Sequence, residues 1–241
     1  RPNSRWVLLP VIGHYDMEAL EACMKIVTKI MSELNLPIII TDVSDWMLPY
    51  YLNLKSLRLK ESFDVSISDY IYTVDDFVKG LDRPDNRYNY NYFIKKFNPI
   101  MEEIKSSELE VYLDYLKASW CETHSCDECQ YGCVLDTAAN LISVFEKSGA
   151  KGIAIYVDYK LVGYMIVSME RDQLVFHFKK SIHGMRGLNE YMHNRCFAIY
   201  GDEAKIINYT EDMNIEGLRK YKQRLALSYS LRHKYELNES G

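Results

Sequence analysis

The chain has 241 residues, a formal net charge of −5 and an apolar content of 48%. A chain of this size and composition can bury the core of one large or two small domains, which excludes a disordered protein. The acidic balance argues against a surface that binds nucleic acid everywhere, although it allows a local basic face. No apolar run approaches the about 20 residues that cross a bilayer, and no signal peptide is recognisable, so we expect an intracellular, cytoplasmic protein.

The first part of the chain alternates between strand and helix patterns. Apolar residues recur at helical spacing after Asp16, which predicts an amphipathic helix with Asp16 as its N-cap and Pro37 as its end. A second helix is expected near Ser44. The strands predicted around these helices are residues 6–12, 38–40 and 63–67.

The middle of the chain begins with a polar segment, residues 82–91, in which Pro84, Asp85 and Asn86 predict a turn. A helix is expected from Tyr92 until Pro99 interrupts it. We predict a linker near residues 98–107 and a further helix over residues 108–120. The expected division is therefore a first domain of residues 1–98 and a second of residues 99–241.

Four cysteines lie close together, with His124 among them: Cys121, Cys126, Cys129 and Cys133. Their spacing could bring thiolates around zinc or an iron–sulfur centre. Structural zinc sites, however, normally use two separated pairs of ligands, and four cysteines so close leave little chain to fold around a metal. Structural or incidental cysteines are the favoured interpretation, a zinc site is the weaker one, and no tightly bound cofactor is expected.

A hairpin pattern and a strand precede a short loop that contains Gly184 and Gly187, and a helical pattern follows the loop. The first N–H groups of a helix lack internal partners, so this arrangement suits a phosphate or pyrophosphate. His183, Arg186 and the preceding lysines add positive charge. An ordinary strand-to-helix turn is the alternative, because two glycines three residues apart are a weak signal.

The order of strands and helices around this loop resembles the GNAT (N-acetyltransferase-like) fold. Two later segments and one earlier segment resemble the phosphatidylglycerol lysyltransferase C-terminal-like family, and they read Asn208 with Glu211-Asp212, Gly217-Leu218-Arg219 with Lys222, and Asp69-Tyr70-Ile71-Tyr72. The resemblance covers nearly the whole chain. It implies an α/β (α+β) protein with tandem GNAT-like domains, each a mixed, twisted sheet flanked by helices.

The resemblance also implies an acyltransferase or aminoacyltransferase whose donor is acyl-CoA or an aminoacyl-tRNA. Glu211 and Asp212 would then accept a proton or hold an ammonium group. Tyr221 is a candidate proton donor to the leaving group because of its phenol, independently of the resemblance. Asn208, Arg219 and Lys222 would bind substrate, and His183, Gly184, Arg186 and Gly187 would bind the donor. Asp212 as a helix cap is an equal alternative.

Six basic residues and no acidic one lie between Gly217 and Tyr235, a composition that suits a tRNA backbone but is also typical of a solvated helix face. The segment Arg83 to Asn89 departs from the basic run that the family has there. The alternative is therefore a non-catalytic binding or scaffold protein that keeps the fold. Because family members have more sequence ahead of Arg1, we expect the first domain to be incomplete.

Overall fold

A computed structural model of the chain describes residues 8–10, 16–63, 68–121, 133–212 and 214–239. The helices are α1 (Met17–Glu33), α2 (Leu48–Leu52), α3 (Val74–Leu81), α4 (Pro84–Phe97), α5 (Leu109–Leu116), α6 (Val134–Ser143), α7 (Phe145–Ser148), α8 (Leu188–Tyr200) and α9 (Glu216–Arg224). The strands are β1 (Ile39–Ser44), β2 (Leu59–Phe63), β3 (Asp69–Thr73), β4 (Ile100–Glu103), β5 (Lys151–Val157), β6 (Lys160–Glu170), β7 (Gln173–Ser181), β8 (Ile206–Asn208), β9 (Ser230–Arg232) and β10 (Lys234–Glu239).

The chain forms two compact units. The first unit comprises Arg1–Tyr70, Glu211–Lys220 and Ser230–Gly241, and the second comprises Ile71–Thr210 and Tyr221–Tyr229. The predicted boundary between two GNAT-like domains at residues 98 and 99 stays a prediction. A division into compact units does not show where one GNAT-like domain ends and the next begins.

The first unit is built on a three-stranded antiparallel sheet in the order β1-β10-β2. The central strand, β10, pairs Leu237 with Ile40 on one side and with Glu61 on the other. Leu20 and Met24 of α1 pack with Leu237 in one buried cluster. As predicted, Asp16 caps α1, since its carboxylate accepts a hydrogen bond from the Glu18 N–H.

The second unit contains strands in the order β4-β5-β6-β7-β8-β3. Neighbours from β4 to β7 are antiparallel, β7 and β8 are parallel, and β8 pairs antiparallel with the last three residues of β3, from Ile71 to Thr73. The predicted hairpin is confirmed: Asp158 and Tyr159, with φ of 50° and 61°, turn β5 into β6. Positive φ at both central residues matches the twist of the two strands.

Strands β7 and β8 share only a short stretch of pairing. Gln173, Leu174 and Val175 pair with Ile206–Asn208, whereas the rest of β7 continues along β6 as far as Ser181. Pairing between the two parallel strands therefore stops after Val175, because β8 ends at Asn208. The place where this pairing stops is called here the β7–β8 gap.

Two predictions for the middle of the chain were wrong. The segment predicted as a turn is the first half of α4, which has Pro84 in its first turn, where a missing N–H removes no helical hydrogen bond. The predicted linker contains β4, which pairs with β5. The predicted end of α4 is confirmed, since Asn98 adopts a left-handed conformation with φ of 42°.

Candidate functional site

Five polar side chains of the second unit meet beside the β7–β8 gap. Strand β7 and helix α8 each supply one of these side chains, the residue that follows β8 supplies a third, and α9 supplies the other two. They are Lys179, His193, Tyr209, Tyr221 and Lys222, called here the lysine–tyrosine cluster. Aromatic packing surrounds it, because the rings of Phe176 and Tyr209 stack at 4.9 Å between centroids.

A bulge in β7 turns Lys179 towards this cluster. Phe176 pairs with Val167 and Phe178 pairs with Ile166, so His177 is one extra residue in β7. An extra residue reverses the alternation of faces along a strand. Phe176 consequently contacts the ring of His193, whereas Phe178 stacks on Tyr164, and Lys179 reaches the Tyr221 of the cluster.

The contact between Lys179 and Tyr221 is close. The Lys179 Nζ donates a hydrogen bond to the Tyr221 hydroxyl at 2.9 Å and lies 4.2 Å from the centre of its ring. Burial, followed by the nearby charge of Lys222, lowers the pKa of Lys179 to about 7, although Glu190 opposes that shift. The half-buried Lys179 amine can therefore gain or lose a proton near neutral pH.

His193 is fixed as a neutral imidazole. Burial first, and then the charge of Lys179, lowers its pKa well below the usual value. Its Nδ1 lies 2.7 Å from the Asn189 carbonyl oxygen, which only accepts, so Nδ1 carries the proton. The Nε2 then accepts a hydrogen bond from the Tyr209 hydroxyl, also at 2.7 Å.

Lys222 and Tyr221 complete the cluster. Lys222 is 3% exposed, and its Nζ donates to the Tyr209 carbonyl oxygen at 2.6 Å. The Tyr221 hydroxyl lies 3.2 Å from the Nδ1 of His193. Burial raises the pKa of Tyr221, more than the opposing hydrogen bond with Tyr209 lowers it, so the phenol keeps its proton at neutral pH.

The predicted donor-binding loop lies between β7 and α8. Gly184 and Gly187 have φ of 79° and 87°. His183 is exposed and the space around Gly184 is open, whereas Gly187 packs against α4. Arg186 also turns to α4, because its Nε donates to the Asn89 Oδ1 at 2.8 Å.

Three of the predicted residues, Glu211, Asp212 and Arg219, belong to the first unit and make other contacts. Asp212 is 1% exposed and accepts hydrogen bonds from the Tyr70 hydroxyl and the Arg219 Nε, both at 2.8 Å. Its Oδ1 also accepts from the Asn214 N–H, 2.9 Å away. Glu211 lies 3.6 Å from the Nζ of Lys234.

Asn208 lies at the end of β8, where its backbone pairs with Val175 and Ile71. Its side-chain oxygen accepts a hydrogen bond from the Thr210 N–H at 2.8 Å. The structure thus brings Tyr221 and Lys222 together with Lys179, and it places Asn208 at the strand end that precedes Tyr209.

The predicted cysteine cluster falls largely on residues outside the described part of the chain, including Cys126, Cys129 and His124. Of the two described members, Cys121 is exposed and Cys133 is half-buried. Among the described residues, no group of three or more His, Cys, Asp or Glu side chains is arranged to hold a metal ion.

Four of the six basic residues between Gly217 and Tyr235 pair with acidic side chains or are buried. Arg219 contacts Asp212, Lys220 contacts Glu216, and Lys222 is buried. Lys234 lies 2.7 Å from Asp69. This part of the chain therefore presents less accessible positive charge than its composition indicates.

Sequence reasoning missed two members of the cluster and valued a third only for its charge. His193 and Tyr209 were not singled out, because the elements that bring them together lie apart in the chain and meet only in the fold. Lys179 was considered only as positive charge near the glycine loop. A lysine in a predicted strand was the signal that could have identified Lys179. The face of the strand on which its side chain lies, however, depends on the bulge at His177.

Comparison with solved structures shows the GNAT-like α/β fold. A conserved protein of unknown function from Bacteroides thetaiotaomicron is 22% identical, with a TM-score of 0.78, and the match covers 96% of this chain and 78% of that one. L-PGS from Bacillus licheniformis is 12% identical, with a TM-score of 0.66 and coverage of 92% and 73%. A tandem GNAT protein from the clavulanic acid biosynthesis pathway is also 12% identical, with a TM-score of 0.52 and coverage of 92% and 69%.

Sequence comparison gives the family. No curated protein sequence matches the chain. None of the described helices has the length and apolar character that crossing a membrane requires. The sequence model of the family called phosphatidylglycerol lysyltransferase, C-terminal, matches residues 2–226, so the chain belongs to this family.

Proposed function

We propose that the chain transfers an acyl or aminoacyl group from an activated donor to an amine or hydroxyl group, with the reacting groups beside the β7–β8 gap. The observation that carries the proposal is the contact between Lys179 and Tyr221 at 2.9 Å, beside the place where the pairing of β7 with β8 stops. It places an amine that titrates near neutral pH next to a protonated phenol.

This pair can perform the proton transfers that acyl transfer requires. Neutral Lys179 accepts the proton that an amine loses as it attacks the donor's carbonyl carbon. The bond between carbonyl carbon and nitrogen forms, and the bond to the leaving oxygen or sulfur breaks. Tyr221 gives its proton to that leaving atom and regains one from the Lys179 ammonium, so the enzyme returns to its starting state.

Lys222 supports this chemistry through its charge. Its buried ammonium favours the neutral form of Lys179 and stabilises negative charge that develops on the carbonyl oxygen. We propose that the open side of Gly184, with His183 next to it, receives the anionic part of the donor. Glu211, Asp212, Asn208 and Arg219 remain predicted contributors to binding.

Two donors are consistent with the names of the relatives. The family name refers to lysyl transfer, and the tandem GNAT structure is described as lacking acetyl-CoA. The proposal therefore covers an aminoacyl-tRNA and an acyl-CoA as co-substrate.

The test measures donor consumption by the purified chain with acetyl-CoA and with lysyl-tRNA, each with a mixture of amino acids and polyamines. Lys179→Met should lower the rate about a hundredfold or more, because it removes the proton acceptor. Tyr221→Phe should act in the same direction. Lys205→Met is the control, since the Lys205 side chain is 81% exposed and lies outside the cluster.

A second function is supported by one observation. Arg186 and Gly187 contact α4, so part of the predicted donor loop is occupied within the protein. A non-catalytic binding protein of the same fold accounts for this. Failure of the wild-type chain to bind or consume either donor, or an unchanged rate for Lys179→Met, would favour that function.

A further inference from the structure

One surface of α4 combines exposed aromatic rings with positive charge. Its groove has a volume of about 510 Å³ and is called here the α4 groove; it is lined by Tyr88, Asn91, Tyr92, Lys95 and Lys96. Tyr88 is 58% exposed, and both lysines are exposed. The opposite side of the same helix is buried through Phe93. The α4 groove is therefore a solvent-facing surface of a helix that is fixed in the fold.

Cations already lie on these rings. The Arg186 guanidinium is 4.9 Å from the centre of the Tyr88 ring and 5.4 Å from that of Tyr92. The Lys96 Nζ is 5.3 Å from the Tyr92 ring centre and donates to the Tyr92 hydroxyl at 2.8 Å. These contacts hold flat rings and positive charges side by side in defined positions.

The charge of the α4 groove is opposite to that of the whole chain. Within α4, Asp85 is the single acidic residue, and Lys95 and Lys96 lie in its last turn. Arg186 adds a further exposed cation from the neighbouring loop. This concentration of positive charge is found in a protein of net charge −5.

We infer that the α4 groove binds a single-stranded segment of RNA. Such strands are held by aromatic rings on which bases stack and by cations that contact phosphates, and the groove offers both. Tyr88 and Lys96 are eight positions apart, so at 1.5 Å per residue they span about 12 Å, enough for about three stacked nucleotides. An acidic protein partner would use the lysines but would not require the exposed tyrosine rings.

This inference goes beyond the proposed function, because binding to the α4 groove needs neither transfer nor an active lysine–tyrosine cluster. If the proposed function also holds, the surface would indicate a donor carried by RNA. The two ideas can fail separately: the wild-type chain can transfer from acetyl-CoA without binding RNA, or bind RNA without transferring.

The inference can be tested by fluorescence anisotropy. A labelled oligoadenylate of 12 nucleotides is titrated with the full chain at several salt concentrations. We expect saturable binding that Tyr88→Ala weakens about tenfold, as loss of one stacked base does. The double change Lys95→Ala and Lys96→Ala should reduce the slope of log affinity against log salt by about 1.4, because two phosphate contacts are lost.

Matched controls lie elsewhere on the surface. Tyr159 is 91% exposed in the β5–β6 turn, and Lys25 and Lys29 are exposed on α1. Tyr159→Ala and the double change Lys25→Ala and Lys29→Ala should leave the affinity unchanged, and thermal unfolding should show that every variant is folded.

Three outcomes would overturn the inference. One is the absence of saturable binding. Another is equal binding by the wild-type chain and Tyr88→Ala, even if the lysines matter, because stacking is part of the inference. A third is displacement of the oligonucleotide by an equal concentration of coenzyme A, which would show that the groove holds a single nucleotide.

Discussion

At the scale of single residues, the same side-chain types have different properties in the two units. Lys179 bonds to the Tyr221 hydroxyl and Lys222 to the Tyr209 carbonyl oxygen, and burial and the charge of Lys222 lower the pKa of Lys179. Lys234 instead lies among Asp42, Asp69 and Glu211, where burial is outweighed by these charges and its pKa is raised. Only the lysine with the lowered pKa is suited to accept a proton at neutral pH.

The substitution Asp212→Asn should show how the stability of the first unit depends on the ionisation of Asp212. Burial by itself would raise the pKa of Asp212, but hydrogen bonds from Arg219, Tyr70 and the Asn214 N–H together lower it below the usual value of 3.8. Its contribution to stability is thus present above about pH 4 and is lost as the pH falls through the folded-state pKa.

Urea unfolding of wild type and Asp212→Asn at pH 7, 5 and 3 measures this effect. The variant should lose about 1.5–3 kcal/mol at pH 7, where charged hydrogen bonds are removed, and the difference should shrink at pH 3. Asp172→Asn is the control, because the Asp172 side chain is half-exposed and pairs at the surface with Lys205 at 3.7 Å. If the difference in the free energy of unfolding between wild type and Asp212→Asn does not change with pH, the lowered pKa of Asp212 is contradicted.

At the scale of secondary-structure elements, the glycine loop joins strand β7 to α8, a helix that packs on α4. Adding a Cβ at Gly187 would place it against the Asn89 carbonyl and 2.8 Å from the Phe93 Cβ, whereas nothing lies within 4 Å of a Cβ at Gly184. Both glycines have positive φ. Substitution of either glycine by alanine therefore strains the backbone, but only the substitution at Gly187 also brings the new Cβ against α4.

Gly187→Ala and Gly184→Ala should destabilise the protein by different amounts. We expect about 1–2 kcal/mol for Gly184→Ala, from the left-handed backbone alone. Gly187→Ala should cost about 3 kcal/mol or more, because the overlap with α4 adds to that strain. Urea unfolding measures both, and equal losses would show that α4 does not pack on the loop.

Much of the fold was predictable from the sequence at this scale, for local reasons. The cap of α1 by Asp16, the hairpin of β5 and β6, and the helix after Gly187 follow from signals within a few neighbouring residues. The first half of α4 was missed because Pro84 and Asn86 suit turns as well as the first turn of a helix. Asn89, in that first half, bonds to Glu190 and Arg186 far along the chain, and such contacts cannot be read from a short window.

The candidate site was less predictable. Lys222 was named through the family resemblance and Tyr221 because of its phenol, and whether they act on substrate stays a prediction. Their contacts with Lys179, His193 and Tyr209 join segments that are distant in the chain. The direction of Lys179 also depends on a bulge that breaks the regular alternation on which strand prediction rests.

At the scale of the whole molecule, neither unit is a continuous piece of chain. The sheet of the first unit takes β1 and β2 from early in the sequence and β10 from late in it. Leu237 of β10 is fully buried in that unit's core, whereas Leu227 is 53% exposed. The stability of the first unit should therefore depend on β10.

Leu237→Ala should lower the stability of the first unit by about 2–5 kcal/mol, the usual cost of removing a buried leucine side chain. Hydrogen exchange followed by mass spectrometry should show faster exchange in β1 and β2, which pair with β10. Leu227→Ala is the matched control and should change little. Unchanged exchange in β1 and β2 would contradict the central position of β10.

The central position of β10 also matters while the polypeptide is being made. Strands β1 and β2 emerge from the ribosome first, and the strand between them is translated last of the three. At usual rates of synthesis that interval is roughly 10–30 s. During it, the facing edges of β1 and β2 have no native partner and can pair with other nascent chains. Slow translation or low temperature should therefore increase the dependence of this protein on chaperones.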